Sequence, residues 1–236
     1  MIEIVPIYLA AGVFSGIVSG LFGVGGAFAL APALILTLSF QGVDPVNIMH
    51  LTIATALATQ VVTAILTTVL RYRAGDLLVP LVGRLAPFVA AGAIAGAAIG
   101  DALPGIVLQF MFIGFVAVSI VRALLQQGRR TAGGAGGAQP SHARGPAVWF
   151  LATLSGASGG VLGPGPAILL APQLRKLGFT MPVIAATSAS LAGLVGLTAA
   201  GGYILGGIDE PGLPAGSLGY LYLPGFFALT AGAPAQ

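Results

Sequence analysis

The amino-acid sequence predicts an all-α, polytopic membrane protein, and composition and hydropathy carry this prediction. Of the 236 residues, 57% are hydrophobic and only 6% are charged, whereas about a quarter of the residues in a soluble domain are charged. The mean hydropathy is +1.02, and the apolar residues form long runs instead of the period-two alternation of a membrane β-barrel. A helical span needs about 20 apolar residues, so we expect at most about seven or eight crossings.

The apolar runs define the candidate membrane elements, and only short segments separate most of them. We do not expect the first run to be a cleavable signal peptide, because Glu3 and no Lys or Arg precede it. We expect it to remain in the mature protein. The runs occupy residues 4–22, 26–40, 46–70, 77–100, 105–125, 146–162, 166–174, 181–205 and 219–233.

A long polar segment separates two groups of runs. Residues 126–146 are rich in Gly, Ala and Arg and lack apolar periodicity, which is typical of a flexible aqueous linker. We therefore predict a first transmembrane repeat at 1–125, a cytoplasmic linker at 126–146 and a second, incomplete transmembrane repeat at 147–236.

The two halves resemble each other in sequence. A shift of 132 positions places Ala54 and Thr55 over Ala186 and Thr187. The match ends near Ala233, whereas the first half continues through another span, so the second repeat is expected to be truncated. A shift of 140 aligns Ser15, Gly16, Gly20, Gly23, Gly25, Ala27, Leu30, Ala31 and Pro32 with Ser155, Gly156, Gly160, Gly163, Gly165, Ala167, Leu170, Ala171 and Pro172.

The charged residues predict how the halves are oriented. If 4–40 and 146–174 each enter and return on one side, every basic loop is cytoplasmic and every acidic loop except that of Asp76 is external. Each half then has an odd number of crossings, so the two repeats have inverted topology. A single straight span for each stretch is the alternative, and the charge pattern disfavours it because Arg175 and Lys176 would lie outside. The other charged residues that define this pattern are Arg71, Arg73, Arg84, Arg122, Arg129, Arg130, Arg144, Asp44, Asp101, Asp209 and Glu210.

Two glycine- and proline-rich clusters are predicted to break helices in the centre of each half. They lie in SGLFGVGGAFALAP at 19–32 and SGGVLGPGPAILLAP at 158–172. A half-helix that begins after such a break presents free N–H groups to an anion, and two corresponding breaks are typical of a transporter's central site. The alternative is that the glycines only allow close helix packing. The residues concerned are Gly23, Gly25, Gly26, Gly163, Pro164, Gly165 and Pro166.

These motifs, together with LRYRAGD at 70–76 and the segment 212–233, resemble the TauE/SafE family of sulfite exporters over most of the chain. The resemblance implies a bacterial inner-membrane transporter of small sulfur-containing anions such as sulfite, sulfoacetate or thiosulfate, built from two related halves. Two features depart from the family pattern. Residues 163–166 read Gly-Pro-Gly-Pro instead of a run of glycines, and the last family segments are missing.

The predicted substrate site combines backbone and hydroxyl donors. The glycine breaks and Ser19 are expected to shape it, and threonines and serines of two spans are expected to support it. For each hydroxyl, the alternative is a bond to the carbonyl one turn back on its own helix. Gln60 is expected either to join two helices or to contact substrate, and His50 is expected at the interface. The predicted substrate-binding residues are Ser19, Gly23, Gly25, Gly26, Thr52, Thr55, Gly163, Gly165, Thr187 and Ser188.

The predicted function is a secondary transporter, an exporter of a small oxyanion such as sulfite or an organosulfonate. The alternative is a truncated, non-transporting assembly partner, in which two copies form a homodimer and complete each other's missing helices. A divalent metal permease is disfavoured because the spans lack His, Asp and Glu ligands. With no cysteine, two isolated histidines and no hydrolase or nucleotide motif, we expect no enzyme activity, metal or cofactor. Nine scattered Lys and Arg form no nucleic-acid-binding face.

Overall fold

The structure is a computed structural model, and it describes residues 27–127, 145–163 and 166–232. Within these ranges the chain is almost entirely helical, which confirms the prediction of an all-α class. Three helices, α2, α3 and α7, are long and apolar enough to cross a membrane. The helices are α1 (Ala27–Phe40), α2 (Pro45–Arg73), α3 (Val79–Ala102), α4 (Gly105–Gln127), α5 (Pro146–Leu162), α6 (Ala167–Lys176), α7 (Met181–Gly206) and α8 (Leu223–Gly232).

Local sequence explains where the longest helix begins and ends. The Asp44 side chain accepts a hydrogen bond from the Val46 backbone N–H at 3.0 Å, and Pro45 occupies the first helical position. Both features favour helix initiation. The helix ends just before Gly75, whose φ of 79° is readily adopted only by glycine.

Helices α2 and α7 pack antiparallel. Gly196 lies against Leu57 of α2, Gly193 lies against Ala64, and the Ser190 and Thr68 hydroxyls are 3.2 Å apart. Residue numbers rise along one helix as they fall along the other, so the N-terminal end of α7 lies beside the C-terminal end of α2.

Helices α3 and α5 run parallel and interlock through glycines. A Cβ atom on Gly96 would overlap the Ala157 backbone, and one on Gly92 would overlap the Thr153 carbonyl. Conversely, Gly156 and Gly160 of α5 lie against backbone atoms of α3. Both helices thus carry small residues four positions apart, the spacing that brings membrane helices into backbone contact. Close helix packing therefore accounts for Gly156 and Gly160.

The bundle has a basic end and an acidic end. The basic end holds the C-termini of α2 and α6, with Arg71, Arg73, Arg175 and Lys176. At the acidic end, Asp101 of α3 lies against Gly206 of α7, and the Asn47 side chain donates to the Pro211 carbonyl at 3.4 Å. The acidic residues there are Asp44, Asp101, Asp209 and Glu210.

Asp76, the acidic residue that the charge pattern left at the basic end, forms an ion pair with Arg71. The distance between Arg71 Nη1 and Asp76 Oδ2 is 3.5 Å, and the two side chains are 32% and 30% exposed. We expect Asp76→Asn to change the free energy of unfolding by less than about 1 kcal/mol, because partly exposed ion pairs contribute little. Thermal unfolding in detergent tests this, and a loss as large as that of a core substitution would contradict it.

A break separates α5 from α6, as the Gly-Pro cluster predicts. The Gly163 backbone has a φ of 89°, and its N–H donates to the Gly159 carbonyl at 2.8 Å. Because α5 runs parallel to α3, the chain starts at the basic end at Pro146 and returns there at Lys176. Helix α6 has 10 residues and is about 15 Å long, so it begins roughly half-way across a bilayer core.

Replacement of the glycine that ends α5 is expected to be costly. Gly163→Ala should lower the free energy of unfolding by about 1–2 kcal/mol, because the left-handed conformation disfavours a Cβ atom. Gly201→Ala on α7 is the matched control, since open space surrounds this helical glycine and alanine favours helix. Thermal unfolding of both variants should show opposite shifts. Equal shifts would contradict the assigned backbone conformation at Gly163.

The last predicted run, 219–233, is only partly a helix. Ser217–Leu218 and Leu221–Tyr222 form an antiparallel two-stranded hairpin, and α8 starts at Leu223. The apolar pattern missed this hairpin because its residues are as hydrophobic as those of a span. Gly219 has a φ of 55°, and a Cβ there would overlap the Ile204 carbonyl of α7, so backbone contacts keep the segment out of a helix.

Candidate functional site

The first half of α2 is enclosed by protein on all sides. Every residue from Asn47 to Gln60 is buried, whereas Val62, Ile65 and Leu66 are exposed apolar side chains suited to lipid. The polar residues between Asn47 and Gln60 therefore face other helices. Polar side chains buried within a membrane bundle need partners there, since hydrocarbon supplies none.

Three threonines of α2 lie on one face of the helix, and their bonding differs. The Thr59 hydroxyl donates to the Thr55 carbonyl at 2.9 Å, the bond expected of a threonine that serves its own helix. The Thr55 hydroxyl accepts the backbone N–H of Tyr222 at 3.1 Å. The Thr52 hydroxyl is fully buried and has no hydrogen-bond partner among the described residues.

The corresponding part of α7 repeats this contrast. The Ser190 hydroxyl donates to the Ala186 carbonyl at 3.0 Å. This is again a bond to the carbonyl one turn back on the same helix. The hydroxyls of Thr187 and Ser188 are buried and have no partner within the described ranges. A buried hydroxyl without a hydrogen bond costs about 1–3 kcal/mol. Three such groups on two spanning helices are therefore candidates for contact with a bound ligand.

The structure does not bring the two hydroxyl pairs together. Thr187 lies beyond the Ser190–Thr68 contact, toward the basic end, whereas Thr52 and Thr55 lie in the half of α2 nearer the acidic end. The pairs are separated by about 20 Å along the helix axes. The physical reason is that both pairs precede the middle of their helices, and those helices are antiparallel.

Gln60 lies between the two hydroxyl pairs, where α2 crosses α7. Its Nε2 donates to the Ala192 carbonyl at 2.9 Å. Gln60 therefore joins the two helices, which is one of the two roles expected from the sequence. Its Oε1 is buried and has no partner in the described part of the chain.

Helix α6, which follows the break after α5, packs against α7, the helix that carries the second hydroxyl pair. Helices α6 and α7 are joined by residues 177–180, which makes them antiparallel neighbours. Thr187 is six residues into α7 and is therefore level with the N-terminal half of α6. Among the described residues no side chain caps the N-terminus of α6, where Pro166 is the N-cap, so the first N–H groups of α6 are available as donors. Ser19, Gly23, Gly25, Gly26 and Gly165 lie outside the described residues.

At the acidic end, His50 lies in a cluster of aromatic rings that the sequence did not predict. His50 is 4% exposed, and its Nε2 donates to the Leu103 carbonyl at 3.1 Å, so it is enclosed by protein and not interfacial. Its ring stacks on Tyr220 at 4.9 Å between centroids. The Tyr203 hydroxyl donates to the Val161 carbonyl at 3.1 Å, beside the break.

Carboxylates at the acidic end also affect the ionisation of a nearby tyrosine. Burial, reinforced by the carboxylates of Glu210 and Asp101, raises the pKa of Tyr220, which lies in the loop before α8. The Tyr220 hydroxyl therefore remains protonated near neutral pH. The described residues contain no group of three or more His, Cys, Asp or Glu side chains that could hold a metal ion.

Comparison with known proteins agrees with these features. The profile of a family described as "Sulfite exporter TauE/SafE" matches residues 8–235. A "Probable membrane transporter protein" of Haemophilus influenzae is 26% identical over 242 aligned residues, covering 98% of this chain and 85% of that protein. No solved structure shows a significant match. The chain is a multi-pass membrane protein, and it belongs to the TauE/SafE sulfite exporter family of membrane transporters.

Proposed function

We propose that this protein is a secondary transporter that exports a small oxyanion, such as sulfite or an organosulfonate, across the bacterial inner membrane. The observation that carries the proposal is a set of buried hydroxyls on two membrane-spanning helices, those of Thr52, Thr187 and Ser188, which have no hydrogen-bond partner among the described residues. Family membership and the transporter relative support the same class of function.

The available donors suit an anion that must both bind and leave. No Lys or Arg is among the buried residues of the described chain, so an entering anion meets only neutral donors. Threonine and serine hydroxyls can donate to an oxygen that only accepts, and the uncapped N-terminus of α6 adds a partial positive charge. Neutral donors give moderate affinity, which favours release on the far side.

Contacts between α2 and α7 support the inverted-repeat relation. A shift of 132 relates Val61 to Gly193 and Ala64 to Gly196. The structure contains the contact of Ala64 with Gly193, and it also contains the contact between their counterparts, Gly196 and Val61. Gln60 bonds to Ala192, its own counterpart. A self-complementary pattern of this kind is typical of a two-fold axis, which would cross the helix pair at Gln60.

This symmetry divides the proposed transport pathway into two halves. The hydroxyl pair on α2 lies on the acidic side of Gln60 and the pair on α7 lies on the basic side, so each can serve one half of the pathway. With the basic end in the cytoplasm, a negative interior favours exit of the anion by about 2.3 kcal/mol per charge per 100 mV. Export on this scheme needs no coupled ion.

Uptake of radiolabelled sulfite into proteoliposomes tests the proposal. We expect saturable uptake that increases when the imposed potential drives anions inward and that excess methanesulfonate inhibits. Empty liposomes and liposomes with the potential reversed are the controls. A monodisperse, correctly inserted protein that transports neither sulfite nor an organosulfonate would contradict the proposed substrate class.

A further inference from the structure

The C-terminal hairpin, residues 217–222, and the first turn of α8 present backbone N–H groups and the Ser217 hydroxyl near α2. We propose that they complete an anion-binding position with Thr52 and Thr55, at the acidic-end side of the bundle. This inference rests on the proposed function for the kind of anion bound. It assigns a ligand contact to Ser217, which lies just before the predicted run 219–233 and was not among the predicted site residues.

Backbone hydrogen bonds fix the start of α8 beside α2. The Tyr222 N–H donates to Thr55 Oγ1 at 3.1 Å, and the Leu223 N–H donates to the Gly216 carbonyl at 3.2 Å. Pro224 has no N–H. The first turn of a helix leaves its early N–H groups without intrahelical acceptors, so the Gly225 N–H is the donor that remains at this terminus.

Buried hydroxyls without partners provide an independent observation at the same place. Thr52 is fully buried and lies one turn before Thr55 on the same face of α2, the face against which the hairpin packs. Ser217 pairs across the hairpin with Tyr222, and its Oγ is also buried with no partner in the described chain. The Thr55 oxygen accepts from Tyr222, which leaves the hydroxyl hydrogen available for donation.

The chemistry of these groups selects an acceptor-only ligand. The hydroxyls of Thr52, Thr55 and Ser217 and the Gly225 N–H belong to segments that meet at the Thr55–Tyr222 hydrogen bond, and the positive end of the α8 dipole lies at the same junction. An oxyanion can accept from several donors at once, whereas a cation would meet no carboxylate among these groups. The site therefore suits a small sulfonate or sulfite oxygen cluster, held without a formal positive charge.

The absence of cysteine from the chain allows a direct test. Ser217→Cys is compared with Ala215→Cys, which lies two residues away at an exposed position, in the full chain in proteoliposomes. Each variant is treated with a sulfonate-bearing methanethiosulfonate reagent and with its trimethylammonium analogue. For Ser217→Cys we expect at least tenfold preference for the anionic reagent and concentration-dependent protection by methanesulfonate. For Ala215→Cys we expect neither effect.

A second variant tests the partner across the site. Adding Thr52→Val to Ser217→Cys should weaken protection by methanesulfonate at least tenfold, whereas adding Thr59→Val should leave it unchanged. Equal reaction with both reagents, no reaction with either, or protection that survives Thr52→Val would overturn the site. Protection without sulfite uptake would instead contradict the proposed transport, and uptake without protection would contradict this site alone.

Discussion

Gly96→Leu is expected to prevent stable assembly of the membrane bundle. A Cβ atom at this position would already overlap the backbone of Ala157, and the rest of a leucine would force α3 and α5 apart. Overpacking a tight contact typically costs 1–3 kcal/mol and occasionally more. Because backbone atoms cannot move aside as a side chain can, we expect a loss of at least about 3 kcal/mol, measured as loss of the monodisperse peak and of cooperative thermal unfolding.

Gly83→Leu is the matched control on the same helix. Nothing lies within 4 Å of a Cβ built at Gly83, so this leucine can point into lipid and should leave yield and melting temperature nearly unchanged. Similar behaviour of the two variants would show that α3 and α5 are not in backbone contact.

Thr52→Val combined with Thr187→Val is expected to abolish most sulfite flux without loss of stability. Neither hydroxyl makes a hydrogen bond within the described chain, so valine removes a buried, unsatisfied polar group and can even stabilise the fold. The same change removes one donor from each half of the proposed pathway. A hydrogen bond to a charged group contributes about 1.5–3 kcal/mol, which corresponds to a flux at least tenfold lower at subsaturating sulfite.

Thr59→Val shows whether this effect depends on position. Its hydroxyl bonds to the Thr55 carbonyl, so valine should lower the free energy of unfolding by about 1 kcal/mol while flux persists. The opposite result, a stable Thr59→Val protein without flux beside a fully active double variant, would exclude the unpartnered hydroxyls from the pathway.

Much of the architecture could be predicted because its causes are local. Long apolar runs define the spans, and Gly163 ends a helix through its own backbone geometry. Thr59 and Ser190 bond to their own helices, as most membrane hydroxyls do. These features depend on residues within one or two helical turns of each other.

The remainder depends on contacts between distant segments, which periodicity does not reveal. Thr52 and Thr59 look alike in sequence, yet the Thr59 hydroxyl bonds to the carbonyl one turn back and the Thr52 hydroxyl bonds to none of the described residues. The hairpin before α8 is as apolar as a span, and its extended form follows from the contact of Gly219 with α7. Gly160 and Gly163 belong to one motif, yet the first packs two helices together and the second ends one.

Equilibrium binding of radiolabelled sulfite to the purified protein tests the central claim most directly, because it separates recognition of the anion from transport. The comparison is between the natural chain and the combined variant Thr52→Val, Thr187→Val and Ser188→Ala, with melting temperatures measured in parallel. We predict saturable binding to the natural chain and at least tenfold weaker binding to an equally stable variant. Saturable binding of unchanged affinity in that variant would contradict the claim that these buried hydroxyls recognise the anion.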